Sequence, residues 1–234
     1  MTEHPILLYP EEVRAFLDGR KTQLRRPVKS RFILKHCSVE FDGTEIIVGS
    51  SFSEIGRITC PFGQPGDRLW GRETWRFSDW TEDGYPYIEY KEGKERRLIE
   101  RGIPAEWGER LGQVWADLSV SENYKIDNTA TDRVWRSPLT MPRWASRITL
   151  EVQNVRVQRV QEISSHKPAQ EAPAFDSWNI DDLAAEGPPD QIQLLSNPYK
   201  WVEWYGKWWN SRFAKKGFPW QDNPWVWVCE VRCE

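Results

Sequence analysis

The stretch Gly19-Arg20-Lys21-Thr22-Gln23-Leu24-Arg25-Arg26 joins a helix-like segment to the first long strand, and the rest of the chain is organised around it. The segment before it carries helix punctuation: Pro10 suits a first helical position, Glu11 and Glu12 stand where the helix dipole favours anions, and Gly19 suits the exit. Val13, Phe16 and Leu17, spaced i, i+3, i+4, give that helix its buried stripe. After a sharp turn at Gly19, Lys21 falls at the mouth of the strand, and alternation puts Thr22, Leu24 and Arg26 on one face. From Arg20 to Arg31 the chain carries Arg20, Lys21, Arg25, Arg26, Lys29 and Arg31 without an acidic residue, which makes either a solvated basic face or a grip for an anion.

A chain of 234 residues with 39% apolar and 29% charged residues can bury a core, and a single domain over 1–234 is expected. Its 15 tryptophans supply large flat surfaces that fill a core, stack on bases or sugars, or line an interface, so their positions have to decide among these. A net charge of -3 argues against a protein that coats nucleic acid through an overall basic surplus, and leaves room for a local basic patch. The start Met1-Thr2-Glu3-His4-Pro5 lacks a charged region followed by a long apolar one, and no apolar run is long enough to span a bilayer. A cytoplasmic protein without a membrane partner is expected. Cys37, Cys60, Cys229 and Cys233 make no CxxC pair, and His4, His36 and His166 are scattered, so neither a metal nor another cofactor is expected. Cys229 and Cys233 lie in a strand-like run that puts them ~13 Å apart, too far to share an ion or a disulfide.

Outward from the basic stretch, Ile6-Leu7-Leu8 precedes the helix, while Val39, Phe41 and Ile46 to Val48 flank Asp42-Gly43, a dipeptide suited to a tight hairpin turn. A turn-rich loop from Cys60 to Asp67 leads into Arg68-Leu69-Trp70-Gly71-Arg72-Glu73-Thr74-Trp75. Alternation there puts Leu69, Gly71, Glu73 and Trp75 on one face and leaves the Glu73 carboxylate among apolar neighbours, in need of a partner. Residues from about 77 to 136 read as a polar, irregular insertion with short strand signals at Tyr85 to Tyr90 and Val114 to Ala116. Ile148, Leu150 and Val152 then alternate until the phase slips at Gln153-Asn154, a bulge or tight bend, before Val155 and Val157. Ser164 or Ser165 caps a short helix that takes Pro168 in its first turn and carries Glu171. A loop of small and acidic residues, Pro173 to Pro189, precedes a second helix capped by Asn197, opened by Pro198, and burying Trp201, Trp204, Tyr205 and Trp208. Loop and helix form an extension over about 173 to 214. The last run, Trp225 to Val231, is apolar on both faces near its start, as a central strand is.

Four stretches in this order resemble one family. They are Gly19-Arg20-Lys21-Thr22 with Arg26; Pro65-Gly66-Asp67-Arg68-Leu69-Trp70 with Arg72-Glu73-Thr74-Trp75; Met141-Pro142-Arg143-Trp144-Ala145-Ser146-Arg147-Ile148; and Asn223-Pro224-Trp225-Val226-Trp227-Val228. Together they are similar to the ASCH domains of the PUA-like superfamily, in particular the longer versions found in phages and prophages. The resemblance covers both ends and the middle of the chain, but neither the insertion nor the Pro173 to Pro189 loop. It implies an α+β fold: a small, partly open β-barrel with helices packed over its ends and a cleft beside the basic turn. Members of the family bind RNA or nucleosides. The residue types agree, because arginine and lysine grip phosphate or a base edge while tryptophan supplies a stacking surface.

The ligand-binding set implied is Arg20, Arg25, Arg26, Trp70, Arg72, Glu73, Trp75, Arg143, Trp144 and Arg147; the alternative is that each tryptophan is core and each arginine pairs with Glu73 or another acid. One branch of the family removes an acyl group from a modified cytidine with a lysine, a threonine and a glutamate. Lys21 matches the lysine and Glu171, less closely, the glutamate, whereas the threonine position holds Leu24, so Thr22 or a water would have to supply the nucleophile. Lys21, Thr22 and Glu171 are thus the catalytic set if there is one. The leading expectation is a module that binds RNA or a modified nucleoside or nucleotide without turnover. The alternatives are a hydrolase using Lys21 and Glu171, either an amidohydrolase on an N-acylated cytidine or a ribonuclease, and a structural or interaction protein with a tryptophan-rich interface.

Overall fold

The computed structural model describes residues 1–29, 38–49, 53–112, 134–163 and 198–234, with side chains from 202 onward in the last segment. The chain divides into two compact units, one of Met1–His4, Ala15–Leu69 and Thr149–Glu234, the other of Pro5–Arg14 and Trp70–Ile148. Strands β1 (Glu3–Leu7) and β6 (Arg68–Arg72) and helix α1 (Pro10–Leu17) give residues to both. The fold is α+β and mostly sheet. Its strands form one five-stranded and two three-stranded sheets, none closed into a barrel among the described residues, where a partly open barrel was expected.

Helix α1 forms where its punctuation puts it. Val13 and Phe16 are buried as expected, but the third buried apolar position is Ala15, and Leu17 points to solvent. Gly19 ends the helix in the left-handed region at φ 67, a conformation that glycine adopts without a Cβ penalty. The amides of Arg20 and Lys21 both donate to the Ala15 carbonyl, at 2.9 and 3.0 Å, so the chain reverses tightly into the basic stretch.

In the first unit, β2 (Gln23–Pro27) pairs antiparallel with β11 (Trp225–Cys233), with Leu24 opposite Cys229 and Arg26 opposite Trp227. The other edge of β11 pairs with β10 (Thr149–Arg159), and the register slips between Val152 and Asn154, at the expected bulge. Val226 through Cys229 are all buried, so β11 is the central strand that its double-faced apolar run required. The five-stranded sheet runs β1-β6-β10-β11-β2. A second sheet, β3 (Ser38–Phe41), β4 (Glu45–Gly49) and β5 (Glu54–Thr59), opens with the Asp42-Gly43 hairpin. Asp42 Oδ1 accepts the amides of Thr44 and Glu45 at 2.8 and 2.7 Å and locks that turn. Phe41 meets Trp227 edge-on at 5.6 Å between ring centroids. Helix α2 (Pro198–Phe213) buries Trp204, Tyr205 and Trp208 as expected, and also Trp209 and Phe213. Its Gly206 lets the Trp220 ring approach, since a Cβ there would stand 3.2 Å from it.

In the second unit, much of the stretch expected to be an irregular insertion is a meander, β7 (Trp75–Trp80), β8 (Pro86–Tyr90) and β9 (Arg96–Leu98), with β8 at the strand signal of Tyr85 to Tyr90; the other signal, Val114 to Ala116, lies outside the described residues. A register shift between Phe77 and Asp79 breaks the period-two pattern, which is why the sequence reads as irregular there. Trp75, Phe77, Ile88 and Tyr90 face a core completed by Ile99, Leu111, Met141 and Ala145. No helix among the described residues is long and apolar enough to cross a membrane.

Candidate functional site

The basic stretch lies wholly in the first unit, and β-pairing sorts its side chains into two depths. Arg20 and Thr22 are exposed, Arg26 is half-buried and Lys29 is exposed, whereas Lys21 and Arg25 are each only 4% exposed. Lys21 therefore stands inside, not at an open mouth; its ammonium lies 6.0 Å from the centroid of the Phe16 ring. Arg20 pairs with Asp18, and Arg26 donates through Nη1 to the Arg25 carbonyl at 2.9 Å. Leu24 is fully buried opposite Cys229, while Thr22 faces solvent, so the two do not share an environment. Glu171 and Arg31 lie outside the described residues.

The remaining predicted residues lie in the second unit. Trp75 is a core residue whose ring meets Phe77 edge-on at 5.3 Å and carries the Arg136 guanidinium at 5.6 Å. Trp144 packs between Phe77 and Trp107, at 6.5 and 5.3 Å. Trp70 is buried, with the Arg72 guanidinium 4.6 Å from its ring centroid. Arg143 is half-buried.

Glu73 has the partner its position demanded. It occupies the link between β6 and β7, and Arg147 grips both of its oxygens, Nε to Oε1 and Nη2 to Oε2, each at 2.9 Å. The pair is interior, with side chains 3% and 5% exposed. The segment that carries Arg147 is pinned by Ser146, whose hydroxyl donates to the Gly71 carbonyl at 2.7 Å, and by Tyr90, whose hydroxyl donates to the Ala145 carbonyl at 2.8 Å. The guanidinium also donates to the Glu92 carbonyl at 2.8 Å, pairs with Glu95, and stacks 4.3 Å from the Tyr90 ring centroid. Burial pushes the Glu73 carboxyl above its usual range and Arg147 pulls it back in part. Burial works against the charge of Arg147, but hydrogen bonds and attraction from Glu73 and Glu95 outweigh it and hold the cation firmly. Burial pushes the Tyr90 phenol up to about 12, so it stays a neutral donor.

Glu73 lines a cavity of about 300 Å³ in this unit. Leu7, Leu8, Val13, Pro138 and Leu139 make its apolar walls, and Glu73, Thr74, Glu92 and Ser137 its polar ones, with Tyr9 and Pro10 at the start of α1. Glu92 is held by Arg14 Nε at 3.0 Å. Of these residues sequence reasoning singled out only Glu73 as a site residue. Glu92 sits in the stretch of about 77 to 136 read as irregular, Ser137 and Leu139 follow just after it, and none of the three carries a local pattern that marks it. Comparison with family models, with curated proteins and with solved structures found no match to this chain.

Proposed function

We propose that the protein binds RNA or a modified nucleotide through the basic stretch of its first unit, without turnover. The observation that carries this reading is the ten-residue run from Arg20 to Lys29, in which no acidic residue interrupts Arg20, Lys21, Arg25, Arg26 and Lys29. Arg20, Thr22 and Lys29 are exposed and Arg26 half-exposed on backbone fixed by the Gly19 turn and by β11. Guanidinium groups in a fixed setting suit phosphate, which accepts paired N–H donors, and such contacts need no overall positive charge. Lys21 and Arg25 stand too deep to touch the phosphates of a polymer. The resemblance to ASCH domains of the PUA-like superfamily supports the same ligand class. Against a hydrolase stands Leu24, fully buried, which offers no hydroxyl where that chemistry takes its nucleophile.

The test is to incubate the protein with a mixed pool of modified nucleosides and short RNAs and to read both retention and mass change. The reading expects retained RNA or nucleotide of unchanged mass. Retention with loss of an acyl group, or cleavage of the RNA, would overturn it in favour of the hydrolase, and no retention would leave the basic stretch a solvated face.

A further inference from the structure

We propose that the cavity of the second unit is a separate small-ligand site that takes a neutral or cationic N–H donor carried on an apolar ring, with Glu73 as the receiving carboxylate and Arg147 as its positioning residue. This stands independently of the nucleic-acid reading, since it uses none of the residues of the basic stretch. At about 300 Å³ the cavity has room for one substituted ring, at the lower end of the volumes of small-ligand pockets, about 300–1,000 Å³.

The choice of ligand follows from what each polar group at the wall has already spent. The two cations beside the cavity's carboxylates are engaged: Arg147 holds both oxygens of Glu73 at 2.9 Å, and Arg14 holds Glu92 at 3.0 Å. The amino end of α1 does not offer an anion site either, because Glu12, fully buried, turns its carboxylate back to accept the Tyr9 amide at 3.1 Å. Ser137 Oγ accepts the Leu139 amide at 3.3 Å. The charged groups left at the wall are therefore acceptors, beside the neutral hydroxyls of Thr74 and Ser137. Arg147 uses one lone pair on each Glu73 oxygen, and a carboxylate has about four acceptor sites, so a further N–H fits on Glu73 without displacing the guanidinium. A phosphate or carboxylate ligand would meet Glu73 and Glu92 with like charge and find only neutral hydroxyls, and no lysine or arginine among the lining residues, to replace its water. Leu7, Leu8, Val13 and Leu139 supply the surface for the ring. Two chemistries share this description, the exocyclic amino group of a heterocycle and an alkyl ammonium.

The test titrates the full chain with adenine, benzylamine and benzoate, following ligand signals by NMR. Benzoate is the control, a ring of the same size carrying an anion. Binding of adenine, benzylamine or both, with benzoate weaker by about tenfold or more, is expected; which donor wins separates the heterocycle from the ammonium. Glu73→Gln should weaken the bound donor by a similar factor, whereas Arg26→Ala should leave it unchanged even if it abolishes RNA binding. Because Glu73→Gln alters a buried pair and can unfold the unit, a second series uses Leu139, at the wall and 69% exposed. Leu139→Lys should weaken benzylamine and Leu139→Asp strengthen it. Benzoate binding as tightly as the donors, no binding by either donor, or benzylamine affinity indifferent to both Leu139 variants would overturn the proposal.

Discussion

Replacing Arg147 by Met removes a cation from the interior of the second unit while keeping much of its side-chain bulk, and the geometry sets the cost. The guanidinium, 5% exposed, is bound through two nitrogens to Glu73, itself 3% exposed, so removing it strands a carboxylate away from water. Breaking a buried ion pair in this way costs about 3–5 kcal/mol. The sign of the pH dependence follows from Glu73. Burial already raises its folded pKa above the ordinary 4.5, and loss of the cation raises it further. A carboxylate whose folded pKa exceeds its unfolded one binds more protons when folded, so the stability of the variant is greatest below the ordinary value and falls as pH rises through the raised one. Urea unfolding followed by tryptophan emission should therefore show the full deficit near about pH 8 and a smaller one near about pH 4. The double variant Glu73→Met with Arg147→Met, which buries no charge, should recover much of the loss. A single variant within about 1 kcal/mol of wild type at neutral pH, the range of an exposed pair, would refute the reasoning. So would a double variant no more stable than the single.

Asp67 gives the opposite pH dependence. Its carboxylate accepts the amides of Gln64 and Thr2, which hold its pKa below the ordinary 3.8. The stability it contributes is present above that value and is lost as pH falls, so the advantage of wild type over Asp67→Asn should shrink on acidification, as read by urea midpoints across the acid range. Leu24→Thr should cost ~2 kcal/mol or more, because it opens space and places a hydroxyl at a fully buried position, and it should bring no hydrolysis of acylated cytidine. Turnover in that variant, measured by mass change, would reinstate the hydrolase.

Local pattern made much of the fold legible. The α1 punctuation, the Asp42-Gly43 hairpin, the slip at Gln153-Asn154 and the double-faced apolar run of β11 each rest on neighbours in sequence, and each forms where expected. The exceptions are instructive. Leu17 satisfies the helical period but is the last residue of the helix and faces solvent, and Ala15 takes the interior place. Strand β8 carried a local signal, but β7 was obscured because the shift at Phe77/Asp79 moves its apolar residues out of phase, and β9 is only three residues long. Depth at the candidate site was the least legible property. Alternation assigned Thr22, Leu24 and Arg26 to one face, yet Leu24 is interior and Thr22 is not, because Thr22 precedes β2 and its accessibility is set by neighbours distant in sequence. The demand of Glu73 for a partner was readable from its apolar flanks, while the full set around Arg147, which brings in Tyr90, Glu92 and Glu95, depends on pairings that no local period encodes.

The central claim, that the outward cations of the basic stretch grip a nucleic-acid backbone, is tested most directly by the salt dependence of binding to a short single-stranded RNA. Each phosphate neutralised releases condensed counterions, so the logarithm of affinity falls with the logarithm of salt concentration by ~0.7 per contact on a single strand. Wild type should bind with a measurable slope, and the variant combining Arg20→Ala, Arg26→Ala and Lys29→Ala should lose most of the affinity and about 2 units of slope while unfolding at nearly the same urea concentration. An unchanged slope in that variant, or no binding by wild type at low salt, would contradict the account.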